Sequence, residues 1–279
     1  MVVGTIFQAS LNADKIYIDM TYLPDPITHK FWLTIKNQSV IALYFKIINN
    51  IANWTLTDPA DGKLGSVNGG SETTFAITMT RANPGVETMD SGTLVIEAYT
   101  DSDYTNKISE DTLNVTVYIE DLESWPDVIK SDFDDGTAQG WTLGPNVSIS
   151  NDESVEVGGY SAKFDRGGEY NTEAYIEKTV TLPNRNKVRV SFYIAVHIWD
   201  YGEAHDLSVL VNGEKVFDIP HEWYDYKQGR FGWLKITADL SEYRGQTVTL
   251  RIRTYINVHE GYNENGICWF DRIVIAGKD

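Results

Sequence analysis

Residues 268–277, CWFDRIVIAG, decide how the second half of this chain is read, together with residues 131–141, SDFDDGTAQGW, about one domain earlier. They read as the last and first strand segments of one β-sandwich. In the later segment, the side-chain period of two puts Trp269, Asp271, Ile273 and Ile275 on one side of a strand, with Phe270, Arg272 and Val274 on the other. An aspartate inside such an apolar run is costly to bury without a partner. The earlier segment sets Asp132, Asp134 and Asp135 beside a glycine and a threonine, a supply of hard oxygen ligands that suits Ca²⁺. A cation held there would give Asp271 its partner.

The chain has 279 residues, of which 42% are apolar and 12% aromatic, enough for two packed cores. Two modules of roughly 120 to 155 residues are the natural division. A formal charge of -17 argues against nucleic acid as a partner and suits cation binding. The single cysteine, Cys268, has no internal disulfide partner and reads as a small buried hydrophobe. No apolar run of about 18 residues occurs, so no membrane span is expected. Asn-x-Ser/Thr triplets at Asn37, Asn53, Asn114 and Asn146 are expected at the surface of a secreted product.

Strand-like alternation bounded by Gly, Asn, Asp and Pro recurs throughout, and helical periodicity is nearly absent. The fold class is therefore all-β. In the first half, segments 31–36, 41–47, 74–79, 92–98 and 113–119 read as strands at the spacing of a small sandwich. Turn clusters such as Asp58-Pro-Ala-Asp-Gly and Asn68-Gly-Gly separate them. Trp54 reads as part of a strand, and His29 as part of a Pro-rich loop. Over residues 1–121 the order of these motifs resembles the immunoglobulin-like accessory domains of secreted carbohydrate-active enzymes and surface proteins. Residues 120–127, EDLESWPD, break the pattern with charge and a proline and mark the joint, where Trp125 could pack between the modules.

The second module, residues 127–279, carries four marked stretches: FDDGTAQGW at 133–141, VGGYSAKF at 157–164, WLKITADLSEYRGQTVTLRI at 233–252 and WFDRIVI at 269–275. In this order they resemble the jelly-roll carbohydrate-binding modules and, more broadly, the galactose-binding-like domains. The resemblance implies a second β-sandwich and a structural Ca²⁺ that ties the opening acidic segment to the last strand. Carried over residue by residue, it implicates Asp134, Asp135 and Asp271, with Gly159 or Ser161 giving a backbone oxygen. The family often has Glu where this chain has Asp134. Without a cation, the acidic segment reads as a solvated turn.

Recognition must come from a surface, because fold alone does not fix function. Along 187–199, Val188, Val190, Phe192, Ile194, Val196 and Ile198 alternate toward the core, leaving Arg189, Ser191, Tyr193, Ala195, His197 and Trp199 outside. Along 247–257, Leu250, Ile252 and Ile256 point inward, leaving Arg251, Arg253 and Tyr255 outside. If the two strands share one exposed sheet, they form a surface of aromatic rings, guanidiniums and an imidazole. A pyranose offers an apolar C–H face to such rings and a hydroxyl edge to such donors. Trp223 and Tyr226 in the loop 221–233 add further contacts, with Tyr224 beside them; loop packing is the other reading for these and for Trp199. Trp141, Trp233 and Trp269 read as packing.

His197, Asp200, Glu203, His205 and Asp206 lie close in sequence, but their spacing matches no zinc motif, and no Gly-x-Ser-x-Gly elbow or phosphate-cradling loop occurs. No catalytic residue is nominated, and the chain is read as non-enzymatic. The expected partner is a polysaccharide or glycan outside the cell or at its surface. Neighbouring domains of a larger secreted protein, or self-assembly, are further partners. A structural or adhesive subunit of an extracellular fibre or layer, and an accessory region of a secreted protease, are the alternative readings.

Overall fold

A computed structural model describes residues 6–11, 15–21, 23, 26–156, 158–165, 172–198, 202–225, 232–258 and 266–279; at 198, 202–203, 220–225, 257 and 258 only the backbone is described. The chain is all-β and divides into two compact units, Met1–Glu120 and Asp121–Asp279. Among the described residues, no helix is long and apolar enough to cross a membrane.

Strands are numbered in chain order. In the first unit, one sheet runs β1 (Phe7–Leu11), β3 (Ile27–Asn37), β7 (Glu72–Arg81), β5 (Thr55–Asp58). The other runs β2 (Lys15–Asp19), β9 (Lys107–Glu120), β8 (Thr88–Tyr99), β4 (Leu43–Asn49), β6 (Lys63–Val67). The pairing of β2 with β9 is parallel; the other pairings in this unit are antiparallel. Alternation drives the packing: Leu33 and Ile35 of β3, Phe45 and Ile47 of β4, Ile96 of β8 and Val117 of β9 share one buried core. Each such side chain contributes about 1.5–3 kcal/mol on leaving water.

Three local expectations change here. His29 lies in β3, paired with Met79 of β7, because the strand begins at Ile27, immediately after Pro26, rather than beyond His29. Desolvation there lowers its imidazole pKa to about 4. Trp54 stands just before β5, buried, and its indole N–H donates to Asp90 Oδ2 at 3.0 Å. Asp90 is itself buried and holds Arg81 at 2.9 Å. Asn53, Asn114 and Asn146 are exposed, but Asn37 is fully buried, its amide donating to the carbonyls of Ile41 and Val67. It is therefore no surface acceptor in the folded chain.

In the second unit, one sheet runs β12 (Val147–Ser150), β13 (Ser161–Asp165), β20 (Gly266–Lys278), β15 (Lys187–Ile198), β18 (Leu234–Asp239), with β10 (Asp127–Ser131) also on β20. The other runs β11 (Thr142–Leu143), β14 (Thr172–Thr181), β19 (Thr247–Val258), β16 (Gly202–Val211), β17 (Glu214–Asp225). The first strand of the unit, β10, does pair with the last, Ile129 with Ile275 and Ser131 with Ile273, but it ends at Ser131, so residues 132–141 form a loop and not the opening strand.

Along β20 the strict alternation fails at one place. The β15–β20 register shifts between Ser191, opposite Val274, and Tyr193, opposite Asp271, so Arg272 and Ile273 face a single residue of β15. Arg272 has φ 46°, the left-handed backbone of a bulge. The extra residue inverts the phase of the strand. Cys268 and Phe270 face the core before it, as their pairs Val196 and Ile194 do, and Ile273 and Ile275 face the core after it. Trp269 and Asp271 therefore point away from the core, on the opposite side from Ile273 and Ile275. Val274 and Ala276 point outward too, where Leu122 and Trp125 cover them. Lys278 Nζ caps the Trp125 ring at 4.5 Å. The segment placed as a joint thus packs on the second unit. Cys268 is fully buried, and burial pushes its thiol pKa well up, as a packed, unreactive thiol requires.

Candidate functional site

The two strands expected to form one binding face lie in different sheets: β15 pairs with β18 and β20, β19 with β14 and β16. Core residues alternate inward from both, so their outer faces look away from each other across the sandwich. Tyr193 and His197 are therefore separated from Arg251, Arg253 and Tyr255. The outer side of β15 is also largely covered: Arg189, Ser191, Tyr193 and Ala195 are buried. Tyr193 lies under Lys235 Nζ at 5.0 Å. Trp199 and Tyr226 fall outside the described residues, and Trp223 lies in β17, where only the backbone is described. The sequence cluster of His197 with His205 and Asp206 separates in the same way, since His205 belongs to β16.

What assembles is the outer face of the β19 sheet. The cross-strand register sets Glu173 opposite Tyr255, Tyr175 opposite Arg253 and Glu177 opposite Arg251, while His205 of β16 lies opposite Tyr255. All seven side chains are half-buried, whereas the alternate residues Leu250, Ile252, Thr254 and Ile256 are fully buried. The Arg251 guanidinium lies 4.2 Å over the Tyr175 ring, and its Nε donates to Glu177 Oε2 at 2.7 Å. Arg253 Nη1 donates to Glu173 Oε1 at 3.0 Å, and its guanidinium lies 5.5 Å from the Tyr255 ring centre. On the far side of that ring system, Tyr255 and His205 stack at 5.7 Å and 12°.

Each planar group is thus pinned by another, so little rotamer freedom remains to be lost on binding. Two guanidiniums face Glu173 and Glu177, and Asp206 stands 3.3 Å from His205 Nδ1, so the patch carries a slight acidic excess when the imidazole is neutral. It offers the edges of stacked planar groups, fixed N–H donors and carboxylate acceptors together. Glu173, Tyr175, Glu177 and His205 were not nominated from the sequence. The alternation in TEAYIEK, residues 172–178, would have shown the first three as one face, had β14 been paired with β19.

The acidic loop after β10 behaves unevenly. Phe133, at φ 59°, turns fully into the core and anchors it. Asp135 is exposed, and its Oδ1 accepts the backbone N–H and hydroxyl of Thr137, so it closes its own turn. Asp134 instead reaches the loop before β13: its Oδ1 accepts the N–H of Tyr160 at 3.1 Å and lies where a Cβ on Gly159 would be, at 2.3 Å. A larger residue at 159 would have to displace the Asp134 carboxylate. Asp271 is buried and accepts the N–H groups of Val155, at 2.8 Å, and Arg272. Desolvation raises its pKa to about 7, and the charge of Asp134 adds to the rise. Ser161 donates its hydroxyl to the carbonyl of Glu153. Two carboxylates thus approach under one loop. No group of three or more metal-binding side chains converges among the described residues, so a cation here would draw its other oxygens from backbone or water.

No protein-family model and no curated protein matches the chain. Among solved structures, it is similar to the Caldicellulosiruptor saccharolyticus module CBM27-1 in complex with mannohexaose, at 13% identity over 54% of this chain and 97% of that one, with a TM-score of 0.40. The CBM22-1 xylan-binding domain from Paenibacillus barcinonensis Xyn10C is similar at 16% identity over 55% and 96%, with a TM-score of 0.36. A carbohydrate-binding module of the β-sandwich superfamily aligns over 96% of this chain and 97% of its own, at 16% identity and a TM-score of 0.32. At these values the neighbours identify neither activity nor ligand for this chain.

Proposed function

We propose that this chain is a non-catalytic, extracellular carbohydrate-binding protein whose glycan lies along the outer face of the β19 sheet. The observation that carries the reading is the locked pair of stacks, Arg251 on Tyr175 and Tyr255 on His205, with Glu173 and Glu177 between and beside the guanidiniums. A glycan lies against the exposed edges of the stacked groups, Tyr175 with Arg251 and Tyr255 with His205, and its hydroxyls exchange hydrogen bonds with Arg253, His205 and Glu173. Two guanidiniums against Glu173, Glu177 and Asp206 leave no excess of positive charge, which favours a neutral polysaccharide over a polyuronate or a sulfated chain. Among the described residues, the face holds no nucleophile with a base and an orienting group, and Glu173 and Glu177 are committed to ion pairs rather than poised as an acid and a base.

A structural Ca²⁺ belongs to the same proposal. Asp134 and Asp271 would hold it, and it would neutralise two carboxylates that otherwise repel each other under the loop before β13. Asp135, occupied by Thr137, has no part in that set. For the first unit, the strand order β1-β3-β7-β5 against β2-β9-β8-β4-β6 supports an immunoglobulin-like reading as a companion domain.

Affinity electrophoresis through gels containing neutral polysaccharides tests the binding reading. Wild-type chain is retarded, and Arg253→Ala and Tyr255→Ala each reduce retardation at least tenfold. Equal retardation of all three proteins would remove this face from the account.

A further inference from the structure

On the other side of the second unit, a cavity of about 440 Å³ opens on the outer face of the β20 sheet. Its floor is Ala195 of β15, small enough to leave a trough. Trp269 stands directly across the pairing from Ala195, turned outward by the bulge at Arg272, and Trp233 packs against the same cluster just before β18. Lys163 of β13 pairs with Trp269 and reaches over the trough, its Nζ held by Asp152 at 2.6 Å and Asp165 at 3.1 Å. His197 completes the lining. The Trp269 indole N–H is buried beside the cavity with no hydrogen-bond partner among the described residues.

We propose that this trough is a second glycan site, taking one pyranose ring between Trp233 and Trp269, independent of the β19 face and on the opposite side of the sandwich. The chemistry selects that occupant. Two indoles over an alanine floor accept an apolar ring face, and the volume lies within the range of small-ligand sites, about 300–1,000 Å³. An anion is disfavoured by the carboxylates around the single ammonium. Glu153 also lines the cavity, so the rim is acidic; the one ammonium is already held by Asp152 and Asp165, and the apolar indoles and alanine floor are what select a neutral ring. A neutral ring with hydroxyls on its edge can hydrogen-bond to Lys163 and Asp152 at the rim. The inference rests on the carbohydrate-binding reading, which it extends to a two-sided protein able to cross-link chains.

The test is calorimetric titration of the whole chain with β-1,4-linked hexaoses of glucose, mannose and xylose, beside ¹⁵N spectra of the indole N–H groups. The wild type should bind two equivalents of at least one hexaose. Trp233→Ala should lower affinity at one site at least tenfold and leave one equivalent, while Tyr255→Ala leaves the other. The Trp269 indole signal should shift on saturation of the wild type, a readout that needs no substitution. A single equivalent abolished by Tyr255→Ala, with that indole signal unmoved, overturns the second site and leaves the first intact. A single equivalent abolished by Trp233→Ala supports the trough and overturns the β19 face. Failure of the wild type to bind any of the three overturns both.

Discussion

The guanidinium of Arg251 lies 4.2 Å over the ring of Tyr175, across the β14–β19 pairing, and is held there by Glu177. The pair shows how the outer face of this sheet is stiffened before any ligand arrives. Replacing Arg251 with Lys keeps the charge but loses the planar stack and the directed Nε contact. Arg251→Lys should therefore weaken polysaccharide retention about tenfold, with the melting temperature almost unchanged. Retention equal to wild type in affinity gels would show that the stack is only packing.

The same face carries no excess of positive charge, and this has a measurable consequence. Binding of a neutral glycan through rings and hydrogen bonds should change by less than about twofold between 0.05 and 0.5 M NaCl, because screening acts on net charge. Calorimetry at the two salt concentrations decides it. A steep loss of affinity with salt would point to a charged polysaccharide instead.

Asp271 and Asp134 approach each other under the loop before β13, with Asp271 buried. A divalent cation removes that repulsion. Scanning calorimetry should show the second unit melting several degrees higher in 1 mM Ca²⁺ than in EDTA, and the difference should vanish in Asp271→Asn. Gly159→Ala should reduce it as well, since its methyl group would occupy the position of the Asp134 carboxylate. Identical melting in Ca²⁺ and EDTA would remove the cation from the account.

In the first unit, Asp90 is buried and answers both the Arg81 guanidinium and the Trp54 indole. Removing one partner of such a buried pair leaves an uncompensated charge, costing about 3–5 kcal/mol. Asp90→Ala should destabilise this unit by that amount in urea. A loss below about 1 kcal/mol would mean that water reaches Arg81.

His29 supplies a pH dependence of defined sign. Its pKa falls from 6.5 to about 4 on folding, so below 6.5 the unfolded chain takes up a proton that the folded chain refuses. The associated stability is complete above about pH 6.5 and is lost as pH falls toward 4. His29→Gln should lose less melting temperature than wild type between pH 7 and pH 5. Parallel slopes for the two proteins would contradict a desolvated imidazole.

The all-β class and the pairing of opening and closing strands were legible because alternation and turn chemistry are local. Sheet membership was not. The residues of β15 and β19 carry the same inward-outward pattern, and nothing in that pattern says which neighbours each strand pairs with; only the register put them on opposite sides. The phase of β20 was misread for a related reason. A bulge adds one residue without a sequence mark, and Arg272 is not a residue that announces a left-handed backbone. Trp233 and Trp269 read as packing and do pack, in one cluster with Ala195 and Ile267, but on the outward side of the sheet, where the bulge turns Trp269. His29 was placed in a loop because Pro24 and Pro26 precede it, yet β3 begins immediately after them.

The measurement that bears most directly on the central claim is a crystal structure of the chain grown with a neutral oligosaccharide that it retains in gels. The account expects sugar rings across the β19 face, one ring against the exposed edge of Tyr175 or Tyr255 and hydroxyls within hydrogen-bond distance of Arg253 and Glu173. Sugar density elsewhere on the protein, with this face bare, would contradict it.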